Sequence, residues 1–452
     1  MQEEFLHYLW KFRLFDTRDL KTTVEGEPIE ILKCGEPNSD SGPDFFNAKI
    51  KIGKTIWAGN VEIHVRASDW EMHKHQQDKA YDNVILHVVY QADKELRRKN
   101  GERIPTLELN ERIPNNIYQK YLSFKSSRDW IPCGKQIKDI DSFTLNHWLD
   151  RLLVERLERK SIPILESLKQ NKNNREETFY RHLARNFGLK INAEPFELLA
   201  KSLPVSVLGK HKNSLLQIEA LLFGVAGMLH PSLTLPKGEG THDEYFLQLK
   251  KEYEFLKNKF KLKPIDSHLW KFMRLHPPNF PTVRISQFAN LIYKSSHLFS
   301  KIIETKNIKA IRDLLSCETS EYWKTHYRFD KQTPLSFRRG VGGEVKRFGD
   351  DAISNIIINT IAPFVFIYGK EKGAENYVEH ALELLEKTLP EKNAIISKWK
   401  ELGINAKNAY ETQALLQLKN EYCSKKRCLK CSVGARLLHP SPSLPKGERE
   451  SA

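Results

Sequence analysis

Asp44, Glu62 and His64 are the residues whose types and spacing first point to chemistry. Asp44 follows the turn residues Gly42 and Pro43 and opens a run in which apolar and polar residues alternate through Phe46, Ala48, Ile50 and Ile52. That alternation has the period of a half-buried strand. A second alternating run passes through Ile56, Val61, Ile63 and Val65. Two neighbouring strands then present Asp44 and Glu62 from adjacent positions on one sheet face. His64, two residues beyond Glu62, lies on the same side. Two carboxylates and a basic side chain can hold a divalent cation, orient a water and steady a phosphate. The plainer alternative is a solvated sheet face carrying ordinary acids.

Three further groups carry possible chemistry. His73 and His75 with Asp78 make a zinc or iron set if the segment is a loop or strand. On a helix, positions i and i+2 diverge, and the pair becomes a solvated face or a phosphate contact. Glu3 and Glu4 sit in the first turn of a helix expected over residues 2–14, where acids are favoured. Cys423, Cys428 and Cys431 form a C-x4-C-x2-C cluster beside Lys425, Lys426 and Arg427, whose charge favours thiolates. A zinc tetrahedron or an iron–sulfur cluster needs a fourth ligand, and Cys133, in a turn, is the choice. Cys34, on an expected strand, and Cys317, at a helix end, suit the role less. Reduced thiols without a metal remain the alternative.

The elements that must position these residues follow in order. Residues 29–34 read as a first strand and 35–41 as a loop delivering Asp44. Ser68 and Glu71 offer a capping box for a short helix, and residues 83–90 form a buried strand with His87 as a core histidine. From about residue 140 the texture is helical, with a stripe through Leu145, Trp148, Leu149, Leu152, Leu153 and Leu157. Further helices are expected over 175–187, 194–202, 212–229, 243–260, 284–304, 350–367, 373–388, 391–401 and 407–422. Arg66, Arg274 and Arg284 are candidate exposed cations for phosphate contact, and Trp323, His326, Tyr327 and Arg328 form an aromatic–basic patch.

The helix–strand–strand–strand–helix–strand order, with an acid opening the second strand and Glu-x-His on the third, resembles the PD-(D/E)XK nuclease superfamily. Asp44 matches that family's first acid and Glu62 its second, while His64 stands where the family has Lys. The resemblance implies an α+β fold, with an αβββαβ core over residues 1–135 followed by a mainly α-helical domain. It also implies Mg²⁺ or Mn²⁺ at Asp44 and Glu62, Glu4 as an accessory acid, and nucleic acid, DNA above all, as substrate. Some members of the superfamily tie down an iron–sulfur cluster with three C-terminal cysteines and one distant one. The chain as a whole also resembles an uncharacterised bacterial family that shares the Gly-Pro-Asp-Phe and Val-Glu-Ile-His segments.

Composition sets the outer bounds. The chain has 452 residues and a formal charge of +15, which favours a polyanionic partner. No apolar run approaches the ~20 residues that span a bilayer, and the acidic N-terminus is unlike a signal peptide, so a cytoplasmic location and no membrane partner are expected. A helical domain is expected over 140–422, a cysteine segment over 423–434 and a disordered tail over 438–452. The segment Leu229 to Glu239 recurs almost unchanged at Leu438 to Glu448, a Pro- and Gly-containing unit used twice. Residues 231–241 and 333–345 therefore read as exposed inserts. Two other functions stay open beside a nuclease: a non-catalytic nucleic-acid-binding protein on a degenerate nuclease fold, and a small-substrate metal hydrolase centred on His73, His75 and Asp78.

Overall fold

A computed structural model describes residues 1–38, 40–229, 243–273, 275, 279–329, 331–332 and 347–438. The repeat copies, the 333–345 segment and Arg274 lie outside the described residues, except for a few flanking positions. The chain forms an α+β protein with two compact units, Met1–Trp148 with Leu418–Ala452, and Leu149–Gln417.

The first unit is built on one sheet. Its strands are β1 (Ile29–Lys33), β2 (Phe45–Ile52), β3 (Thr55–Arg66), β4 (Val84–Gln91) and β5 (Thr106–Glu108), side by side in that order. β1, β2 and β3 pair antiparallel, whereas β4 and β5 join in parallel. A two-residue strand, Glu36–Pro37, pairs with the start of β2. Helix α1 (Glu3–Phe12) buries Phe5, Leu6, Leu9 and Trp10 completely, the stripe its spacing predicts. Arg13 ends it in a left-handed conformation, with its N–H returned to the last carbonyls.

Two local departures from the expected alternation matter for the site. Asn47 adopts φ 55 and creates a bulge between Phe45 and Ala48, so Phe45 rather than Phe46 is buried beside Ala48 and Ile50. A bulge of this kind re-aims the end of a strand, and here that end is Asp44. In β3, Val61, Glu62, Ile63 and His64 are all buried, so both faces of the strand are covered at this point.

The short helix α2 (Asp69–Met72) follows β3, but its capping box does not form. The Ser68 N–H and hydroxyl donate to the Asp93 carboxylate instead, and Glu71 pairs with Lys94 at 2.6 Å. Trp70 packs in an apolar cluster with Ala67, Tyr81, Val84, Val89, Leu96 and Ile104. Helix α3 (Asn115–Ser126), unanticipated from the sequence, buries Ile117, Tyr121 and Phe124, and the Tyr121 ring stacks on Phe5 at 4.6 Å.

Among its described residues the second unit is helical apart from a ladder between His326–Arg328 and Lys331–Gln332 and an isolated bridge between Glu318 and Arg347. Helix Arg175–Phe187 packs on Ala193–Ser202, and helix Leu215–Val225 packs on Glu244–Phe260 and on Pro281–Lys294. Residues 284–304, read as one helix, are broken: Ser295 leaves the helical conformation and His297 takes φ 52. Segment Asp350–Lys372 is, among the described residues, the one stretch long and apolar enough to cross a membrane, and 72% of its apolar window is buried inside the unit. The helix expected over 350–367 covers most of it, and Ser354, Asn355, Asn359 and Thr360 break up its apolar run.

Gly59 shows how tightly the site strand is seated. A Cβ there would lie 2.6 Å from the Asn83 carbonyl and would also collide with Ile85, where β3 begins to pair with β4. Gly59→Ala must displace backbone rather than a flexible side chain, and a loss of about 1–3 kcal/mol in unfolding free energy is expected. Chemical denaturation compared with wild type measures it; an unchanged midpoint would contradict this packing.

Candidate metal centre

Antiparallel pairing sets Asp44 against the Glu62 end of β3, and two backbone-to-carboxylate bonds lock the acids in place. The Asp44 N–H donates to Glu62 Oε2 at 3.1 Å, and the Ile63 N–H donates to Asp44 Oδ2 at 2.9 Å. Glu62 is buried, whereas Asp44 keeps a part-open side chain. Burial, and then the nearby Asp44 carboxylate, push the Glu62 pKa up to about 9.

The other oxygen of Glu62 faces histidines. Glu62 Oε1 lies 3.6 Å from His64 Nε2 and 3.4 Å from His75 Nε2. His64 Nε2 is in turn 3.1 Å from His73 Nδ1. His64, His73 and His75 each offer a ring nitrogen within 4.8 Å of the others. Around a tetrahedral ion with bonds of 2.0–2.1 Å, neighbouring donors stand roughly 3.4 Å apart. The spacing of these atoms is therefore that of ligands to a single ion, and His75 Nε2 is a buried nitrogen with no hydrogen-bond partner.

The convergence of His73 and His75 depends on one backbone feature. Helix α2 stops at Met72, and Lys74 takes φ 63 before a 3-10 turn starts at His75. The i, i+2 pair therefore does not sit on a continuous helix, and both rings turn toward β3. The Tyr81 ring stacks on His75 at 3.8 Å, and Trp70 meets His75 and His87 edge-on. Burial, and then the neighbouring imidazoles, lower the pKa of His64 to about 3 and depress those of His75 and His87. All three rings are thereby held neutral, the form that binds metals.

His87, opposite Glu62 in the parallel register, completes a second layer. Its Nε2 lies 2.8 Å from His64 Nδ1 in a fully buried hydrogen bond. With His64 Nδ1–H donating to His87, the lone pair of His64 Nε2 is left free for an ion, the usual way in which a supporting partner fixes a ligand tautomer.

A functional candidate missed in the sequence is His7, on α1. Its Nε2 lies 3.2 Å from Asp44 Oδ2 and 3.8 Å from Glu3 Oε1. Burial opposes a charge on His7, but the Asp44 carboxylate and Glu3 outweigh it and raise the pKa above the ordinary histidine value. The Glu3-x3-His7 spacing, one helical turn, was the available signal.

Other candidates fall elsewhere. Glu4 is exposed and faces toward Tyr121 and Cys428, so Glu3 is the acid of α1 that faces Asp44. The Asp78 carboxylate accepts from the Ala80 N–H and caps a 3-10 turn. Arg66 is exposed at the end of β3, its N–H bonded to Asp69. Arg284 is buried, contrary to the exposed contact expected of it. Its guanidinium lies over the Phe348 ring at 4.9 Å and donates to Gln287 and Asn279. In the second unit, Lys160, Arg181, Arg185 and Lys201 line a cavity of about 470 Å³, where Glu197 pairs with Arg185 and Lys201. Cys133, Cys423 and Cys431 are buried in the first unit and Cys428 partly so, all four as free thiols. Cys34 accepts from Arg13, and Cys317 is buried in the second unit.

No curated protein and no solved structure matches the chain. A family model described as protein of unknown function (DUF2851) matches residues 3–394, and with that span covering most of its length the chain belongs to this family.

Proposed function

We propose that the protein is a metal-dependent phosphodiester hydrolase acting on nucleic acid. The observation that supports this reading most directly is the gathering of His64, His73 and His75 ring nitrogens within 4.8 Å of one another, with Glu62 beside His64 and His75 and the Asp44–His7 pair next to it. The acidic pair and the histidine pair, which sequence reasoning assigned to rival functions, belong to one constellation. Three imidazoles and one carboxylate suit Mn²⁺, Fe²⁺ or Zn²⁺ better than Mg²⁺, which prefers oxygen ligands and keeps its waters.

A bound ion supplies Lewis acidity at a phosphoryl oxygen and a water of lowered pKa. The protein's own groups do the rest. His64, His73 and His75, with Glu62 beside them, would hold that ion. His7, protonated through Asp44, is placed to hand a proton to a departing oxygen. Asp44, held by the Ile63 N–H, keeps His7 oriented and charged. Trp70 and Tyr81 close the apolar side, leaving His73 as the exposed edge through which a substrate approaches. The formal charge of +15 favours a polyanionic substrate over a neutral one.

Purified full-length protein loaded with Mn²⁺ or Zn²⁺ is expected to cleave DNA or RNA. His7→Ala is expected to lower kcat by 10²-fold or more, on the order of a lost general acid, with metal affinity within a few-fold of wild type. Absence of cleavage of any nucleic acid with every one of these metals, while a small phosphodiester is hydrolysed, would replace the macromolecular substrate with a small one. No hydrolysis of either would end the catalytic reading.

Metal binding itself separates ligands from their support. His73→Ala is expected to abolish stoichiometric binding of Mn²⁺ or Zn²⁺ measured by calorimetry. His87→Gln, which perturbs the supporting bond alone, is expected to weaken binding about 10–100-fold. Equal affinities across wild type and both variants would remove the site.

The metal-free protein has its own pH signature. The Glu62 carboxyl, raised in the folded state, binds its proton more tightly there than in the unfolded chain. It therefore favours folding at low pH, and that contribution is lost as pH rises toward about 9. The depressed histidines act in the opposite sense, losing stability as pH falls below 6.5. Between pH 6.5 and 9 the metal-free wild type should thus lose stability while Glu62→Gln stays flatter, as thermal melts in chelator will show. Saturating metal should erase the loss, because an ion needs the ionised carboxylate.

A further inference from the structure

The basic cavity of the second unit takes no part in the centre described above. It has a volume of about 470 Å³ and lies among residues 160–170 of helix Ser142–Gln170, helices Arg175–Phe187 and Ala193–Ser202, and Asn359. We propose that this cavity binds a small organic phosphate, with Arg181, Arg185 and Lys201 around the phosphate group and Lys160 as a further positive charge. The assignment does not depend on the metal centre.

Helical spacing gathers the cations. Arg181 and Arg185 stand one turn apart on Arg175–Phe187 and so project from the same side of it. Glu197 and Lys201 stand one turn apart on the next helix. Two departures from regular helix border the same space. Pro163 lies inside helix Ser142–Gln170, where its ring has no N–H to donate. Residues Ile357–Ile361 form a widened π turn, a feature that recurs at functional sites. The Ile358 carbonyl in that turn accepts from Lys160 Nζ at 3.4 Å, and Asn359 Oδ1 accepts from it at 2.8 Å.

The charges around the cavity are incompletely matched. Lys160, Arg181, Arg185 and Lys201 line it against the carboxylates of Glu166 and Glu197. Glu197 serves two cations at once, with Oε2 accepting from Arg185 and Oε1 at 2.6 Å from Lys201 Nζ. Arg181 gives its Nε to Glu177 Oε1 at 2.8 Å. Its terminal nitrogens, like Nε and Nη2 of Arg185, have no partner among the described residues. A guanidinium with N–H groups to spare matches the paired oxygens of a phosphate. Lys160 donates to Gln413 Oε1 at 2.6 Å as well as to Asn359 and Ile358, all of them neutral oxygens, and Gln413 in turn donates to Glu391. Loss of hydration, and then the Arg156 charge, push the Lys160 pKa down to about 7. An anion in the cavity offsets that strain on the lysine.

Size and lining favour an organic phosphate over a bare ion. The volume falls within the roughly 300–1,000 Å³ of small-molecule sites, more than a bare oxyanion fills. Pro163 and Ile164 give the organic part an apolar wall. His182 meets Phe364 edge-on at 5.4 Å, and burial lowers its pKa to about 4 against the pull of Glu197. Its neutral ring therefore offers a hydrogen-bond donor and an acceptor rather than another charge.

The test uses the full chain in the presence of a chelator, which keeps phosphate from binding through an ion at the histidines. Calorimetry with ribose 5-phosphate and with AMP is expected to show a single site with a dissociation constant of about 1 mM or tighter, and at least about 10-fold weaker binding of inorganic phosphate. Arg185→Gln should weaken binding of both probes about 10-fold, the loss of one charge-assisted contact. Glu197→Gln should tighten it several-fold, because the anion no longer competes with a carboxylate, and a gain of affinity cannot be mistaken for unfolding. His73→Ala should leave it unchanged. No saturable binding of either probe, inorganic phosphate bound as tightly as both, or affinities that neither Arg185→Gln nor Glu197→Gln alters would overturn the assignment. Loss of binding in His73→Ala would overturn it as well, by moving the phosphate to the metal centre.

Discussion

The rest of the first unit is arranged around one electrostatic problem, the carboxylate of Glu62 buried in the middle of a sheet. An isolated ionised carboxylate cannot be taken out of water at tolerable cost, and a second carboxylate, Asp44, is bonded into the same spot. Among the described residues neither acid has a lysine or arginine paired with it; their close partners are backbone N–H groups and imidazoles. The fold therefore has two ways to settle the charge, a proton on Glu62 or a cation beside it. That choice would link the protonation of one side chain to the proposed metal binding, and through it to the stability of the sheet.

The histidines make sense within that constraint. Each one near Glu62 disfavours the charging of the next, so His64 and His75 remain neutral and cannot serve as counter-ions themselves. What they offer instead is lone pairs. His87 removes the remaining freedom of His64 by engaging its far nitrogen, and Tyr81 pins His75 by stacking. His7 differs because it stands outside the ring cluster, with acids on both sides, and it alone is biased toward the charged form. One residue type thus performs two opposite tasks within a few ångströms, decided by which neighbours each ring meets.

How much of this could be read in advance depended on whether side-chain direction followed from a regular period. Asp44, Glu62 and His64 were legible because β2 and β3 alternate, and alternation assigns faces. The bulge at Asn47 was not, although Asn tolerates left-handed backbone better than most residues. His73 and His75 looked unable to chelate on a helix, and nothing in Lys74 announces the φ 63 that breaks the helix between them. Arg284 misled for a related reason: its charge implied exposure, but Phe348, remote in sequence, covers it. The helical half was legible in outline since 3.6-residue stripes are long and redundant. Its interruptions, such as His297, depend on tertiary contacts like that of Lys212 with the Ser295 carbonyl.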